Sequence, residues 1–171
     1  AYGDATLLGG TGIVILDNFR VNTIDSGKEL VINSDYETHG DGTVTIWAGK
    51  VITSNNAVVT ITAWDIDLQG GMSSIAAINF HGSKVDQTIG LGTNAGSKDM
   101  HLIDGELQRI TTTGGVKVGG NTDAFVSVVG VTSAGSTGVT PVMSLVAQRD
   151  DMQVVFDSAA STFHSLAAQA D

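Results

Sequence analysis

Short runs of alternating apolar and polar residues recur along this chain, separated by clusters of Gly, Ser, Thr, Asn and Asp. A period of two puts one face of each run against a core and the other in water, which is the pattern of β-strands. Strands are expected at residues 13–16, 30–32, 75–78, 100–103, 116–118, 126–131 and 143–146. No segment reads as a long helix. The alanine-rich stretch 158–170 has good helix formers, but it resembles an earlier strand, so tertiary context is expected to override propensity there.

Two internal matches organise these strands. The segment Ser144-Leu-Val-Ala-Gln-Arg-Asp150 returns as Ser165-Leu-Ala-Ala-Gln-Ala-Asp171, 21 residues on. Residues 44–53 also align without gaps to residues 59–68, with Ala48 on Ala63. In both copies an alternating strand meets a small residue and a second alternating run follows. A corner between strands explains this better than a hairpin, because the Asn-Gly or Asp-Gly signature of tight antiparallel turns is missing. Repeats of this length that cannot bury their apolar faces alone must stack. The expected fold is therefore all-β, a β-solenoid or parallel β-helix of roughly eight stacked layers, about 40 Å long. Residues 1–171 read as one segment, with 1–40 less regular and 41–171 carrying the recognisable repeats. The expected core is Val44, Ile46, Val59, Ile61, Ile66, Leu68, Ile89, Leu91, Leu102, Leu107, Ile110, Val126, Val128, Leu145 and Val154.

Composition supports the same class. Twenty-two glycines, one proline and no cysteine suit a chain of tight corners with few interrupted ladders. The repeat at 165–171 and the absence of a polar cap at either end point to a fragment or repeat subunit without complete caps. The alternative is a self-contained domain capped by residues 1–12. Open ends imply a homo-oligomer or filament. With only eight Lys and Arg against a formal charge of −10, no nucleic-acid partner is expected and anionic membranes are disfavoured, and no apolar run is long enough for a membrane span.

The segments Asp65-Ile-Asp-Leu-Gln-Gly70, Thr88-Ile-Gly-Leu-Gly92, Gly105-Glu-Leu-Gln-Arg-Ile-Thr111 and Val116-Lys-Val-Gly119 resemble the degenerate repeats of filamentous-haemagglutinin-type surface proteins. The resemblance covers about residues 40–171. It implies a right-handed parallel β-helix, exported and displayed outside the cell or on its surface, with a non-catalytic structural or adhesive role toward carbohydrate, a host or matrix surface, or copies of itself.

Candidate chemistry is sparse. His39, His81, His101 and His164 form no ligand pair at a recognisable spacing. Asp65 and Asp67 alternate within one strand and so share a face; with Asp150 and Asp151 they are the best nominees for a carboxylate pair. Such a pair would make the chain a carbohydrate-active β-helix enzyme (lyase, hydrolase or epimerase), the alternative to a structural role together with a carbohydrate-binding module. Oxygen ligands for calcium could come from Asp35, Glu37 and Asp41 and from Asn121 and Asp123, although neither cluster forms an EF-hand or β-roll motif. No other cofactor is expected. Trp47 and Trp64 fall in equivalent parts of adjacent repeats but in different phases, so at most one should face outward.

Overall fold

The computed structural model describes residues 3–22, 27–93 and 98–171. Ala1 and Tyr2, at the start of the expected 1–12 cap, lie outside the described residues. The chain runs through β1 (Ala5–Leu8), β2 (Gly12–Ile15) and β3 (Phe19–Val21), then repeats the cycle twice. The second cycle is β4 (Glu29–Asn33), β5 (Thr43–Ile46) and β6 (Val51–Ser54); the third is β7 (Val58–Ala63), β8 (Asp65–Leu68) and β9 (Gly71–Ser74). Next come β10 (Ile78–Gly82), β11 (Ile89–Gly92), β12 (Met100–Leu102), the short helix α1 (Asp104–Leu107) and β13 (Ile110–Thr112). The chain finishes with β14 (Val116–Gly120), β15 (Val126–Val129), α2 (Ser133–Thr137), β16 (Met143–Ala147), β17 (Val154–Phe156) and β18 (Leu166–Ala170).

These strands form four sheets in which every described ladder is parallel. Sheet 1 has the order β1-β4-β7-β10-β14-β16-β18, sheet 2 is β2-β5-β8, sheet 3 is β3-β6-β9-β13 and sheet 4 is β12-β11-β15-β17. Sheet 4 continues sheet 2, since β12 lies against β8 and the His101 amide donates to Asp65 Oδ1 at 3.0 Å. The molecule is all-β, and its stacked parallel sheets are compatible with a parallel β-helix. Sheet 1 is seven strands deep, or about 30 Å at the usual strand spacing.

Registry explains the burial. One inward row of sheet 1 is Leu7, Ile32, Ile61, Phe80, Val118, Leu145 and Ala168, each opposite the next. Its five middle members are completely buried, whereas Leu7 is half-buried and Ala168 exposed. In sheet 1 an inward row is thus fully covered only where its strand has a neighbour on each side. Each covered aliphatic contributes about 1.5–3 kcal/mol before chain entropy is subtracted. Fourteen of the fifteen expected core residues are buried. Val154 is only half-buried, because β17 is the last strand of sheet 4 and pairs with β15 along one edge.

The two sequence matches behave differently. Both copies of the 44–53 and 59–68 pattern turn a corner between strands, and no hairpin forms. Yet the gapless alignment equates β5 with β7, which belong to different sheets; Val44 stacks on Ile66 instead. The repeat near the end does stack as neighbours, β16 on β18, but with Leu145 opposite Ala168 rather than Leu166. This slip of two residues keeps every side chain on its own face, which a slip of one would not. Of residues 75–78, expected as a strand, 75–77 form a corner with Ile75 59% exposed, and Ile78 opens β10. There Ser74 Oγ accepts the Ala76 amide at 3.0 Å, so side-chain turn chemistry overrides the β-propensity of Ile75. Residues 158–170 contain no helix, and 166–170 are a strand.

One irregularity shapes the middle of the stack. In sheet 1, β10 pairs directly with β14, but in sheet 4 β11 is interposed between β12 and β15. The chain leaves β10, forms a strand one layer up, and drops back to β12. The two short helices fill the adjoining corner, where the Asp104 carboxylate accepts the Thr132 amide at 2.7 Å, the Thr132 hydroxyl at 2.8 Å and Gln108 Nε2 at 3.0 Å.

The alternation of faces is directly testable. Ile61→Asp places a charge among fully buried aliphatics and should cost several kcal/mol in urea unfolding, whereas Thr60→Asp, on the outward side of the same strand, should change stability by less than about 1 kcal/mol. Similar losses from the two would contradict the assignment of faces.

Candidate functional site

The outward face of sheet 2 gathers the densest polar chemistry. Across β5 and β8, Thr43 stands opposite Asp65 and Thr45 opposite Asp67, while the alternate residues point into the core. Asp65 and Asp67 therefore share a face, as their spacing requires. The structure adds His101 from β12, whose Nε2 lies 3.4 Å from Asp65 Oδ2. Burial pushes the Asp65 carboxyl above its ordinary range against the opposing amides of His101 and Ile66 and the His101 charge, with Asp67 adding to the rise. Asp67 Oδ2 accepts Gln69 Nε2 at 2.7 Å.

Glu106, which sequence reasoning did not single out, lies buried beside this face. Its Oε1 accepts the Leu68 amide at 2.9 Å and its Oε2 the Ile103 amide at 2.8 Å, tying β8 to the start of α1. Burial raises its carboxyl, and Asp65 adds to the rise. With both oxygens holding backbone N–H groups, Glu106 is committed to structure. Asp150 and Asp151 are exposed in the turn between β16 and β17, four strand spacings from β8 and thus on the order of 19 Å away. The structure does not bring them to Asp65 and Asp67, and that separation exceeds the 5–9.5 Å needed by paired glycosidase carboxyls.

Two of the calcium nominees, Asp35 and Asp123, are instead buried in corner turns, and both belong to the corner that follows sheet 1. Asp35 Oδ1 accepts the His39 amide at 3.1 Å, and its Oδ2 accepts the Gly40 amide at 2.9 Å and the Ser83 hydroxyl at 2.6 Å. Glu37 and Asp41 face solvent, and Glu37 Oε2 lies 3.4 Å from His39 Nδ1. Asp123 is fully buried while Asn121 is exposed. Among the described residues no three His, Cys, Asp or Glu side chains converge as a metal site would require. Gln87 completes this corner: it donates to the carbonyls of Ala63 and Trp64 at 3.0 and 2.7 Å and accepts the Ser83 amide at 2.8 Å. No sequence signal distinguishes this buried Gln from an exposed one.

Asp123 is the strained member of the set. Oδ1 accepts the Gly82 amide at 2.8 Å, but Oδ2 is buried without a hydrogen-bond partner. Burial pushes its carboxyl up to about 6, with Lys117 acting in the opposite direction. His81, on the neighbouring layer, is lowered by burial and by Lys117. Gly82 is required here, since a Cβ would overlap Asp123 Oδ1.

The tryptophans differ as their phases require: Trp47 continues the outward phase of sheet 2, whereas the Trp64 ring lies against Gly40 in the corner. Trp47 follows β5 and is 50% exposed. Trp64 precedes β8 at the corner, half-buried, with Lys84 Nζ 6.0 Å from its ring centroid. His39 and His164 are exposed and lie apart from this face. No helix among the described residues is long and apolar enough to cross a membrane. No protein-family model matches the chain, and neither the curated proteins nor the solved structures contain a match to it.

The Asp123 carboxyl links stability to pH with a definite sign. Its ordinary value is 3.8, so between about pH 4 and pH 6 the fold retains a proton that the unfolded chain has released. Stability should therefore fall as pH rises through that window, by about 3 kcal/mol from this group. Asp123→Asn keeps the acceptor for Gly82 and should remove this group's share of the slope, leaving the shares of Asp65 and Glu106, and raise the urea midpoint above the window. An unchanged slope in the variant would remove Asp123 as its source.

Proposed function

We propose that this chain is a right-handed parallel β-helix segment of the filamentous-haemagglutinin type, a rigid non-catalytic part of an extracellular surface or matrix protein, with structural and adhesive roles. The right-handed sense follows the strong preference of parallel crossover connections. The observation that carries the reading is the state of β18. It is hydrogen-bonded along one edge only, every one of its residues is exposed, and Leu166 and Ala168 continue rows that are buried at Met143 and Leu145 one layer below. At the opposite end Ala5 and Leu7, the inward residues of β1, are only half-covered. Solitary globular sheets protect such edges with charge, proline or a covering loop. These two ends instead offer backbone donors, acceptors and apolar rows in the geometry a further layer would use.

In the isolated chain that layer comes from a second copy stacked head to tail, a contact that does not close on itself and so grows linearly. Sedimentation velocity across a concentration series, with electron microscopy of the same samples, should show linear oligomers. Ala168→Lys, at an exposed inward position of β18, should disperse them without lowering the melting temperature. A single monomeric species at every concentration would overturn the stacking.

The enzymatic alternative has one observation behind it, the shared face of Asp65 and Asp67 with the raised Asp65 carboxyl. It requires that polygalacturonate be cleaved by the wild-type chain and left intact by Asp67→Ala with an unchanged melting temperature.

A further inference from the structure

The geometry points to an intramolecular acyl transfer in the corner after sheet 1: Ser83 Oγ attacks the Gln87 carboxamide, with Asp35 as base, and forms an ester between the two side chains with release of ammonia.

A tight turn between β10 and β11 brings the reacting groups together. The Gln87 amide donates to the Lys84 carbonyl at 3.2 Å, and Asp86 between them takes φ +69°, in the left-handed region, so that Gln87 is carried back to Ser83. Gln87 is 1% exposed and Asp35 completely buried. A Cβ at Gly82 would stand 2.9 Å from Gln87 Cδ, so the carboxamide carbon packs against the backbone immediately before Ser83.

The carboxamide is held in one orientation. Its Oε1 accepts the Ser83 amide at 2.8 Å and the Lys84 amide at 3.2 Å, while Nε2 donates to the carbonyls of Ala63 at 3.0 Å and Trp64 at 2.7 Å. A flipped amide would set NH2 against two N–H groups and oxygen against two carbonyls, so these contacts fix which atom is which. Two N–H groups on one acyl oxygen, one of them the nucleophile's own, are the donors that stabilise the oxyanion of a tetrahedral intermediate.

The nucleophile and its base complete the set. Ser83 Oγ lies 3.3 Å from Oε1, and its hydroxyl donates to Asp35 Oδ2 at 2.6 Å. Asp35 is itself aimed by backbone, since Oδ1 accepts the His39 amide at 3.1 Å and Oδ2 the Gly40 amide at 2.9 Å. Backbone groups alone satisfy the Gln87 carboxamide, so the Ser83 hydroxyl is not needed to hold it in place. A hydroxyl polarised by a buried carboxylate and fixed beside an acyl group is instead what nucleophilic attack requires.

The step balances without a further reactant. The Oγ–Cδ bond forms as the hydroxyl proton passes to Asp35 Oδ2, and the carbonyl electron pair moves onto Oε1, between the two amides. Collapse re-forms the carbonyl and breaks Cδ–Nε2; the nitrogen takes the proton from Asp35 and leaves as ammonia, whose protonation in water draws the exchange forward. Burial of Gln87 keeps water from the ester.

Intact mass spectrometry of the wild-type chain, incubated at neutral pH until its mass is constant, should show the loss of one ammonia from the sequence mass. Lys84 lies between the two residues, so tryptic peptides 51–84 and 85–98 should stay joined. Hydroxylamine, which cleaves esters, should separate them and leave a hydroxamate at Gln87. Ser83→Ala should keep its full sequence mass and release the two peptides, with an unchanged circular dichroism spectrum. Asp35→Asn, folded by the same criterion, should form the link roughly a hundredfold more slowly, the scale of lost general-base catalysis. A wild-type chain at full mass with the two peptides free, an ammonia loss that survives Ser83→Ala, or a link formed as fast by Asp35→Asn would each overturn the proposal.

Discussion

Parallel registry between successive strands is the constraint on which the rest of the molecule depends. A strand of four or five residues with one apolar face cannot bury that face by itself. In this chain it does so only by aligning its inward residues with those of the strands before and after it in the stack. The row from Leu7 through Ile61 and Phe80 to Ala168 shows the result, with complete burial in the middle and loss of cover at both ends. Side chains in the interior layers are determined by packing on two sides. Those of β1, β17 and β18 have packing on one.

The corners solve a different problem, because each change of direction leaves backbone groups that no ladder can pair. Small polar side chains take them up. Ser54, Ser74 and Thr112 lie one above another at the end of sheet 3, all buried, and their hydroxyls bond backbone groups of the corner. At the corner after sheet 1, Asp35, Ser83 and Gln87 form a hydrogen-bonded set reaching across several layers, with Asp123 on the neighbouring Gly82. Of the nominated calcium ligands, Asp35 is in this way occupied by N–H and O–H donors, while Glu37 and Asp41 face solvent. Asp123 is the exception: its second oxygen has no donor, and its raised carboxyl records the cost of burial.

Once the inward positions are taken by the core and the corners by turn chemistry, what is left for interaction is the outward faces and the two ends. The ends are an extension of the stacking geometry itself. The sheet 2 face is more particular, since registry brings threonines, two aspartates and a histidine from three different layers into one surface, with the Trp47 indole at one end.

Much of this architecture was legible from local pattern. Alternation identified the inward residues, because side-chain direction in a strand depends only on parity, and parity survives both the two-residue slip at β18 and uncertainty about strand ends. Parity also put Asp65 and Asp67 on one face. The sequence could not show which strand stacks on which. Residues 44–53 and 59–68 match because any strand, corner and strand read alike, but layer neighbours are chosen by the length of the intervening loops and by side-chain volume across the core. The same limit hid the displaced strand β11, the corner at Ile75, the pairing of His101 with Asp65, and the burial of Glu106 and Gln87. Each depends on contacts between residues far apart in the chain. Composition and periodicity thus determined that this chain forms parallel β-structure with particular residues inward, and the tertiary stack alone decided which polar groups became structural and which remained available.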